Sequence, residues 1–254
     1  MRSQQGSILS NRQYNIVAAS NTHFPSHIHN VYEILCVKKG TGEAVVDGNT
    51  YRLQAGDNLV VFPLQYHSYT VGQDSQIEIY VFSPQFVGEF ADMTTGKKPC
   101  HPCFYEDNLP GVPRDVSNIL VAKAFFYELC AKLLERVPLT GSEESGKPLS
   151  LLDKLMLYVD ENYDKPCTLT RAAALLGYDY TYLSKLFRKK TGMGFNNYVN
   201  RFRIGRATYL LFDRRRNIAE VALEVGYNAI RTFNWEFQKI MHTTPEAYRA
   251  DLQE

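Results

Sequence analysis

Two stretches in the C-terminal part of the sequence have apolar residues at corresponding positions and end in the same pair, glycine and tyrosine. The first reads LTRAAALLGY over residues 169–178, and the second reads IAEVALEVGY over residues 218–227. Each predicts a short apolar helix ended by a glycine, which readily takes the left-handed conformation found just past helix ends. An amphipathic helix follows each copy, with its inward face set by apolar residues four positions apart, as at Leu183 and Phe187. The repeat therefore predicts two helix-turn-helix units.

The outward faces of the two amphipathic helices carry side chains suited to reading DNA bases. In the major groove arginine pairs with guanine, asparagine with adenine, and apolar groups meet the methyl group of thymine. Trp235, the only tryptophan of the chain, would be unusual on a purely solvated face. The alternative is that it packs on a neighbouring helix. The candidate base-contacting residues are Thr181, Ser184, Lys185, Arg188, Ile230, Arg231, Asn234 and Trp235.

The net charge of +1 hides an uneven distribution along the chain. Residues 1–150 hold 12 Lys and Arg against 15 Asp and Glu, a net of −3, whereas residues 151–254 hold 16 against 12, a net of +4. The basic part favours a polyanionic partner, with an ordinary solvated helical face as the alternative. One helix from Asn196 to roughly Arg214 is expected to hold both units to one side of a duplex. The candidate phosphate contacts are Lys189, Lys190, Arg201, Arg203, Arg206, Arg214, Arg215 and Arg216.

The overall composition excludes several classes of protein. The chain has 254 residues, 44% of them hydrophobic and 22% charged, which is typical of a globular protein with one large or two ordinary domains. No apolar run approaches the roughly 18 residues of a membrane-spanning helix, and the N-terminus lacks the apolar core of a secretory signal. Five cysteines at scattered positions favour a reducing cytoplasm over a disulfide framework. We therefore expect a cytoplasmic protein without a membrane partner.

The N-terminal part has the pattern of an all-β domain. Short runs rich in β-forming residues alternate with turn signals at spacings of about 8–12 residues, as in sandwiches and small barrels. The sequence DGN at residues 47–49 predicts a hairpin. We expect this domain to span residues 1–113.

Three histidines and a glutamate form a candidate ligand site in this domain. The spacing of His27, His29, Glu33 and Gly40 resembles the first signature of cupin barrels, and His67 lies in a segment that resembles the second. His27, His29 and Glu33 share one parity along a strand and should point to the same side. They and His67 are candidate ligands of Fe, Mn, Ni or Zn, and no other cofactor is expected. The alternatives are an organic effector held by hydrogen bonds and a purely stabilising role.

The effector pocket is expected at the open end of the barrel. Aromatic rings with polar tips suit a sugar there, and also many other small molecules. The candidate effector-binding residues are Phe24, His27, His29, Tyr32, Glu33, Tyr66, His67 and Tyr80.

A helix and a linker are predicted between the two ends of the chain. Residues 115–137 carry apolar residues nearly all the way round a helix, which indicates a helix that is buried or paired with a second copy. We expect residues 114–137 to be the dimerisation element of a homodimer. The polar segment 138–150, with two glycines and two prolines, predicts a linker, and residues 151–254 then form the double helix-turn-helix domain.

The segment CHPC at residues 100–103 is a further local motif. Two cysteines at this spacing, beside a histidine, can bind zinc or cycle as a thiol pair. A zinc site would need two more ligands, and no second such pair exists in the sequence. A loop after the barrel is therefore the favoured interpretation.

The C-terminal hundred residues carry YLSKLFRK at 182–189, VGY at 225–227, FQK at 237–239 and TP at 244–245. With these motifs they resemble the DNA-binding domain of the AraC/XylS family of bacterial transcription regulators. One departure is His242, where the family has glycine, at a position expected to need a positive φ. The resemblance implies a bipartite DNA site, contacts by both recognition helices and activation through RNA polymerase. It also implies an organic effector, commonly a sugar, in the N-terminal domain.

The expected fold is a two-domain chain: an all-β cupin-like barrel with a dimerisation helix, then an all-α domain with two helix-turn-helix motifs. The expected function is that of a transcription regulator, acting as an activator, which binds double-stranded DNA under the control of a small-molecule effector. It is not expected to be an enzyme, since no nucleophile–base arrangement is visible. The alternatives are a metal-dependent cupin enzyme or metal sensor fused to a DNA-binding module, and an architectural DNA binder without an effector.

Overall fold

Antiparallel strands fill the N-terminal part of the computed structural model, which describes residues 13–72, 74–106, 109–113, 118–141, 148–211 and 215–251. The predicted hairpin is confirmed: Val46 pairs with Asn49, and Asp47 and Gly48 both take positive φ, as a two-residue type I′ turn requires. The strands are Tyr14–Ala19 (β1), Thr22–His27 (β2), Tyr32–Lys39 (β3), Thr41–Val46 (β4), Asn49–Gln54 (β5), Asp57–Val61 (β6), His67–Val71 (β7), Gln76–Phe82 (β8), Lys97–Pro99 (β9), Cys103–Tyr105 (β10) and Leu139–Gly141 (β11).

Two sheets build the barrel. One has the strand order β1-β8-β3-β6-β10 and the other the order β2-β7-β4-β5. Side chains from both sheets, such as Leu35 of β3 and Val71 of β7, belong to one buried cluster inside the barrel. A separate pair, β9 and β11, lies outside these two sheets.

The five-stranded sheet is covered on both faces. Leu35 of β3 points into the barrel, whereas its neighbour Ile34 lies in a second buried cluster on the outer face. Neighbouring residues of a strand point to opposite faces, so two covered faces explain why β3 is apolar throughout. The cover consists of a 3₁₀ turn at Pro84–Val87 and the helices Gly88–Thr94 (α1) and Ile119–Arg136 (α2).

Helix α2 lies within the segment predicted as the dimerisation element. The side chain of Asn118 caps it by accepting a hydrogen bond from the backbone N–H of Leu120, while residues 114–117 lie outside the described part of the chain. Phe126 is completely buried against the barrel, but Leu120 is 73% exposed. One side of the apolar helix is therefore covered by its own chain and the other is open.

The predicted linker, residues 138–150, is partly ordered as a strand. Residues Leu139–Gly141 form β11 and pair with β9, which satisfies backbone groups that a free linker would leave to water. Residues 142–147 lie outside the described part of the chain. The expectation of a linker is thus wrong for β11.

The C-terminal part is helical and contains both predicted helix-turn-helix units. Gly177 ends the first helix of unit one with a φ of 73°, as its place after the apolar run predicted. Reciprocal hydrogen bonds between Ser150 and Asp153 begin the first helix of this part. The helices are Leu151–Asn162 (α3), Leu169–Leu176 (α4), Tyr180–Thr191 (α5), Phe195–Leu210 (α6), Ile218–Glu224 (α7), Ile230–Met241 (α8) and Pro245–Asp251 (α9).

Helix α6 joins the two units and also joins them to the barrel. It has 16 residues, so it is about 24 Å long, somewhat shorter than the predicted helix. Phe202 of α6 belongs to the same buried cluster as Phe24 of β2, so the core of unit one is continuous with the barrel interior. The second unit has a buried cluster of its own around Phe233 and Phe237.

The two units end their recognition helices in the same way but with different residues. His242 follows α8 with a φ of 59°, and Gly192 follows α5 with a φ of 74°. The expected need for positive φ at His242 is confirmed.

We expect His242→Gly to raise the free energy of unfolding by about 1 kcal/mol, because the left-handed conformation costs a residue with a Cβ about 1–2 kcal/mol.

Urea denaturation of the whole chain measures this difference. Gly192→Ala should lower the free energy of unfolding, and so should the control Lys190→Gly, which puts glycine inside α5. A His242→Gly variant no more stable than the wild type would contradict the argument.

Candidate functional site

Four predicted ligand residues meet inside the barrel, and we call His27, His29, Glu33 and His67 the His/Glu cluster. His27 ends β2, His29 lies just beyond it, Glu33 is in β3, and His67 begins β7 directly opposite His27. One ligand atom from each residue lies within 4.8 Å of the others, and none of the four residues is more than 2% exposed. The barrel therefore brings four polar groups together at one buried point.

Backbone carbonyl groups fix which nitrogen of two of the rings is protonated. His27 Nδ1 lies 2.9 Å from the carbonyl oxygen of Pro25, and His67 Nδ1 lies 2.9 Å from that of Gln65. Because a carbonyl oxygen only accepts, each Nδ1 carries a proton, which leaves Nε2 as the nitrogen that can offer a lone pair. His67 Nε2 has no hydrogen-bond partner among the described residues.

Glu33 supplies the negative charge of the cluster. Its Oε2 accepts a hydrogen bond of 3.1 Å from His29 Nε2, whereas its Oε1 has no partner in the described part of the chain. Burial alone would raise the pKa of Glu33, but the hydrogen bond from His29 holds that pKa well below its usual range. Burial lowers the pKa of His27 and of His29. An ionised carboxylate beside imidazole rings can hold a divalent metal ion or the hydroxyl groups of a ligand.

Helix α6 closes the end of the barrel above the His/Glu cluster. The ring centroid of Phe202 lies 5.6 Å from that of His27 and 5.3 Å from that of Phe24. The guanidinium group of Arg206 stacks over Phe24 at 5.0 Å and donates a hydrogen bond of 3.2 Å to Asp160 of α3. The sequence did not predict that α6 and α3 cover the cluster, because nothing in their local residue pattern indicates packing against the barrel.

The other candidate effector residues divide between two places. Phe24 lies against His27, with ring centroids 4.4 Å apart, and the Tyr66 hydroxyl donates to Asp153 of α3. Tyr32 and Tyr80 point to the outer face of the five-stranded sheet, where the Tyr32 hydroxyl meets Thr94 Oγ1 at 2.7 Å. The structure therefore does not bring these two tyrosines to the cluster. Strand parity explains the error for Tyr32, since it precedes the inward Glu33 and must face the other way.

The outward faces of α5 and α8 are open to solvent. Six of the eight candidate base-contacting residues are exposed, while Ser184 and Asn234 are half-buried. Trp235 is 60% exposed, with Lys239 Nζ lying 4.6 Å from its ring centroid. The alternative that Trp235 packs into a neighbouring helix is therefore wrong.

The candidate phosphate contacts do not all lie on the surface. Arg206 is only 4% exposed, so its expected place on a phosphate-binding surface is wrong. Arg203 donates to the backbone carbonyls of Tyr163 and Lys165, at 2.6 and 2.8 Å. Arg214 lies outside the described residues. The exposed members of the set are Lys189, Lys190 and Arg215, while Arg201 and Arg216 are half-buried.

The CHPC segment leads into a strand of the barrel. Cys103 begins β10 and is half-buried, and burial raises its pKa to about 11. Cys100 is exposed, and both thiols are free. Cys103 thus lies in a strand, and only the residues before it form the loop that was expected for the whole segment.

Two family models match most of the chain. One, described as an AraC-like ligand binding domain, matches residues 16–155, and one described as a helix-turn-helix domain matches residues 172–251. The chain belongs to the AraC family. It is therefore a DNA-binding transcription regulator with an effector-binding N-terminal domain, and the expected two-domain fold class is confirmed.

Individual AraC-family relatives align over most or part of the chain. The HTH-type transcriptional activator RhaR of Klebsiella pneumoniae is 23% identical over 245 residues, covering 89% of this chain and 87% of that protein. The Msm operon regulatory protein of Streptococcus mutans is 28% identical over 137 residues, covering 54% and 49%. Both proteins are similar to this chain in sequence.

Solved structures of ToxT from Vibrio cholerae have the same fold. Wild-type ToxT with bound unsaturated fatty acid superposes with a TM-score of 0.54 at 16% identity, covering 98% of this chain and 97% of that one. A 1.65 Å ToxT structure gives a TM-score of 0.53 at 15% identity, covering 95% and 99%. Among the helices in the described ranges, none combines the length and the hydropathy of a membrane-spanning segment.

Proposed function

We propose that this AraC-family protein activates transcription by binding a bipartite site in double-stranded DNA and contacting RNA polymerase. The exposed faces of α5 and α8 support this proposal, because they offer side chains that read bases. Relatives that carry the name of transcriptional activator support the direction of the effect. We place its action with the DNA in the cytoplasm, and we propose no catalytic role.

The length of α6 supports a site with two half-elements. Adjacent major-groove faces lie about 34 Å apart along one side of the duplex. Helix α6 spans about 24 Å, and the thickness of the flanking helices adds to this distance. Recognition helices at its two ends therefore suit successive turns of the groove.

Arg231, exposed on the first turn of α8, tests the base-reading role. We expect Arg231→Ala to cost about 1–3 kcal/mol of binding free energy at the preferred site and to relax base choice at one position. Arg231→Lys should lose most of the same energy, because lysine keeps the charge but cannot pair with guanine through two parallel hydrogen bonds.

Selection from a random duplex library at about 150 mM salt supplies the preferred site, since salt suppresses non-specific phosphate binding. Fluorescence anisotropy on that site then compares the variants. An Arg231→Lys variant with wild-type affinity and base preference would assign Arg231 to a phosphate instead.

The effector is proposed to be a small polar molecule, with a carbohydrate as the first class to test. Glu33 Oε1 can accept from a hydroxyl group, and His67 Nε2 can accept from another. Phe24, whose ring centroid lies 4.4 Å from that of His27, adds an apolar side chain at the edge of the cluster.

A metal sensor is the second candidate, favoured by the protonation pattern of the His/Glu cluster. Two of its rings hold Nδ1–H against backbone carbonyls, which is the usual support for histidines that ligate metal through Nε2. His27, His29, His67 and Glu33 would hold the ion, and this set suits Zn, Ni, Co, Fe or Mn. Such an ion would add a positive charge beside Glu33.

Metal content decides between the two candidates. If the cluster is a metal site, the purified protein should hold about one transition ion per chain, as a four-ligand site would. His27→Ala/His29→Ala should then hold none, whereas the exposed pair His23→Ala/His101→Ala should keep it. Equal metal content in both double variants, by plasma mass spectrometry, would remove the metal sensor and leave the organic effector.

The open side of α2 supports a homodimer. Leu120, Ile119 and Val121 form an exposed apolar patch at its first turn, with Leu120 73% exposed. Such a patch on a helix is the usual signature of a protein contact.

We expect sedimentation of the wild type at micromolar concentration to give a dimer, and Leu120→Glu to give a monomer. The control Met93→Glu, at an exposed position on α1, should leave the dimer intact. A wild-type monomer would overturn this proposal.

A further inference from the structure

We propose that side contacts between the two helix-turn-helix units make the protein accept only one spacing between the two half-elements of its DNA site. The inference rests on the proposed binding of a bipartite site and adds the positioning residues that set its spacing. We call the inter-unit contact the set of Asn200, Arg203, Gly226, Tyr227 and Glu236.

The apolar cores of the two units do not by themselves hold the units to each other. Helix α6 supplies Phe202 to the buried cluster that includes the first unit and Ile204 to the cluster of the second. Among the described residues these two clusters share no member. Each unit therefore packs separately on α6. Fixing one unit against the other needs contacts away from the axis of α6, because only those oppose a bend in this helix or a rotation about it.

Gly226 makes a close backbone approach between the units. It lies in the turn after α7 with a φ of 91° and faces the end of α3, which packs with the first unit. A Cβ atom added at residue 226 would lie 2.5 Å from the carbonyl oxygen of Tyr163 and 2.9 Å from the backbone of Asp164. The two backbones can therefore meet here only because residue 226 has no side chain.

The equivalent glycine of the first unit makes no such approach. Gly177 has a φ of 73°, and an added Cβ there would meet nothing within 4 Å among the described residues. Both glycines thus serve the turn of their own unit, but only Gly226 also serves the contact between units.

Arg203 of α6 contacts both units at once. Its guanidinium group donates to the carbonyl oxygens of Tyr163 and Lys165, at 2.6 and 2.8 Å, just beyond the end of α3. The same group lies 5.3 Å from the ring centroid of Tyr227 in the second unit. A guanidinium group can stack on an aromatic ring while its N–H groups donate in its own plane. Arg203 thus joins the backbone of one unit to a buried ring of the other.

Glu236 adds a polar link between α8 and α6. Asn200 Nδ2 donates a hydrogen bond of 2.8 Å to Glu236 Oε1, and Asn200 Oδ1 accepts one of 3.3 Å from the Tyr227 hydroxyl group. Glu236 is only 7% exposed, so its hydrogen bond forms away from competing water. The first unit has Leu186 at the equivalent place. A helix-turn-helix core therefore does not require this polar residue.

The inter-unit contact fixes α8 against α5 and so sets where the second half-element must lie. One inserted base pair moves a half-element by about 3.4 Å along the duplex and turns it by about 36°. Units held rigidly cannot follow this change, whereas units joined through α6 alone can turn to meet it. Rigidity also favours binding at the correct spacing, because less freedom is lost when DNA binds.

Gly226→Ala in the full-length protein tests the inter-unit contact, with Gly177→Ala as its matched control. Both variants put a Cβ at a positive φ, so both carry backbone strain, but only Gly226→Ala pushes the units apart. Glu236→Leu is a second variant, which introduces the residue type of the first unit. Its control is Glu236→Gln, which keeps an acceptor for Asn200.

The measurement is the ratio of affinities, by fluorescence anisotropy, for the selected duplex and for the same duplex with one base pair inserted between its half-elements. The insertion should weaken binding by the wild type and both controls about tenfold or more, as a mismatched base pair does. In Gly226→Ala and Glu236→Leu the loss should fall below about fivefold, the lower end of the same range. A variant that is merely less stable loses binding equally on both duplexes, which leaves this ratio unchanged.

The other outcomes contradict the inference in different ways. A wild-type ratio in both Gly226→Ala and Glu236→Leu would show that α6 alone sets the spacing. A ratio lowered equally in Gly177→Ala would assign the effect to backbone strain. A wild type that tolerates the inserted base pair would overturn the fixed spacing and leave binding of two half-elements intact, whereas selection without any bipartite site would overturn the proposed function itself.

Discussion

The packing of α6 on Phe24 is the constraint on which the arrangement of this protein depends. One aromatic ring of the barrel touches the His/Glu cluster on one side and a glycine of the helical part on the other. Because the contact has no spare space, the position of α6 and the position of His27 cannot vary independently. The core of the barrel and the core of the first helix-turn-helix unit are consequently one body of packed side chains. In this conformation the N-terminal domain and the first helix-turn-helix unit pack together through that shared core.

The His/Glu cluster gains its chemistry from the same enclosure. Water supplies hydrogen bonds to an exposed carboxylate and makes a protein partner unnecessary. Glu33 is instead completely buried, and one of its oxygens has no partner among the described residues. Buried polar atoms without partners are costly, so their presence together in one place points to a group that completes them. Arg206 and Asp160 form a buried ion pair of their own, with Nη2 and Oδ1 3.2 Å apart.

The two helix-turn-helix units are related in sequence but differ in their surroundings. Tyr227 of the second unit is buried and its hydroxyl donates to Asn200, whereas Tyr178 at the equivalent place in the first unit is 47% exposed. The first unit shares its core with the barrel, while the second has a separate core and touches the barrel chiefly through Tyr248. The first unit therefore packs more closely on the His/Glu cluster than the second does.

Much of the fold follows from the sequence because its signals are local. The hairpin at Asp47-Gly48, the glycine that ends α4 and the positive φ of His242 are each set by backbone conformations that few residues adopt. The inward faces of α5 and α8 follow from helical periodicity. The cupin-like spacing correctly grouped His27, His29, Glu33 and His67, but the expectation that the first three share one strand is wrong, because they lie on β2, on the loop after it and on β3 of the other sheet.

Tertiary structure alone decided what covers that site. Tyr32 and Tyr80 lie on the far side of the sheet, and Arg206, which reads as a surface cation in its own helix, is buried beside Phe24. The strand inside the expected linker is likewise set by its partner, β9, some forty residues earlier in the chain. The sequence by itself determined the elements and the direction of their faces, since both depend on neighbours within a few residues. Which faces meet depends on contacts between residues far apart in the chain, such as Phe24 and Gly205. Contacts over such a separation leave no periodic pattern in the sequence.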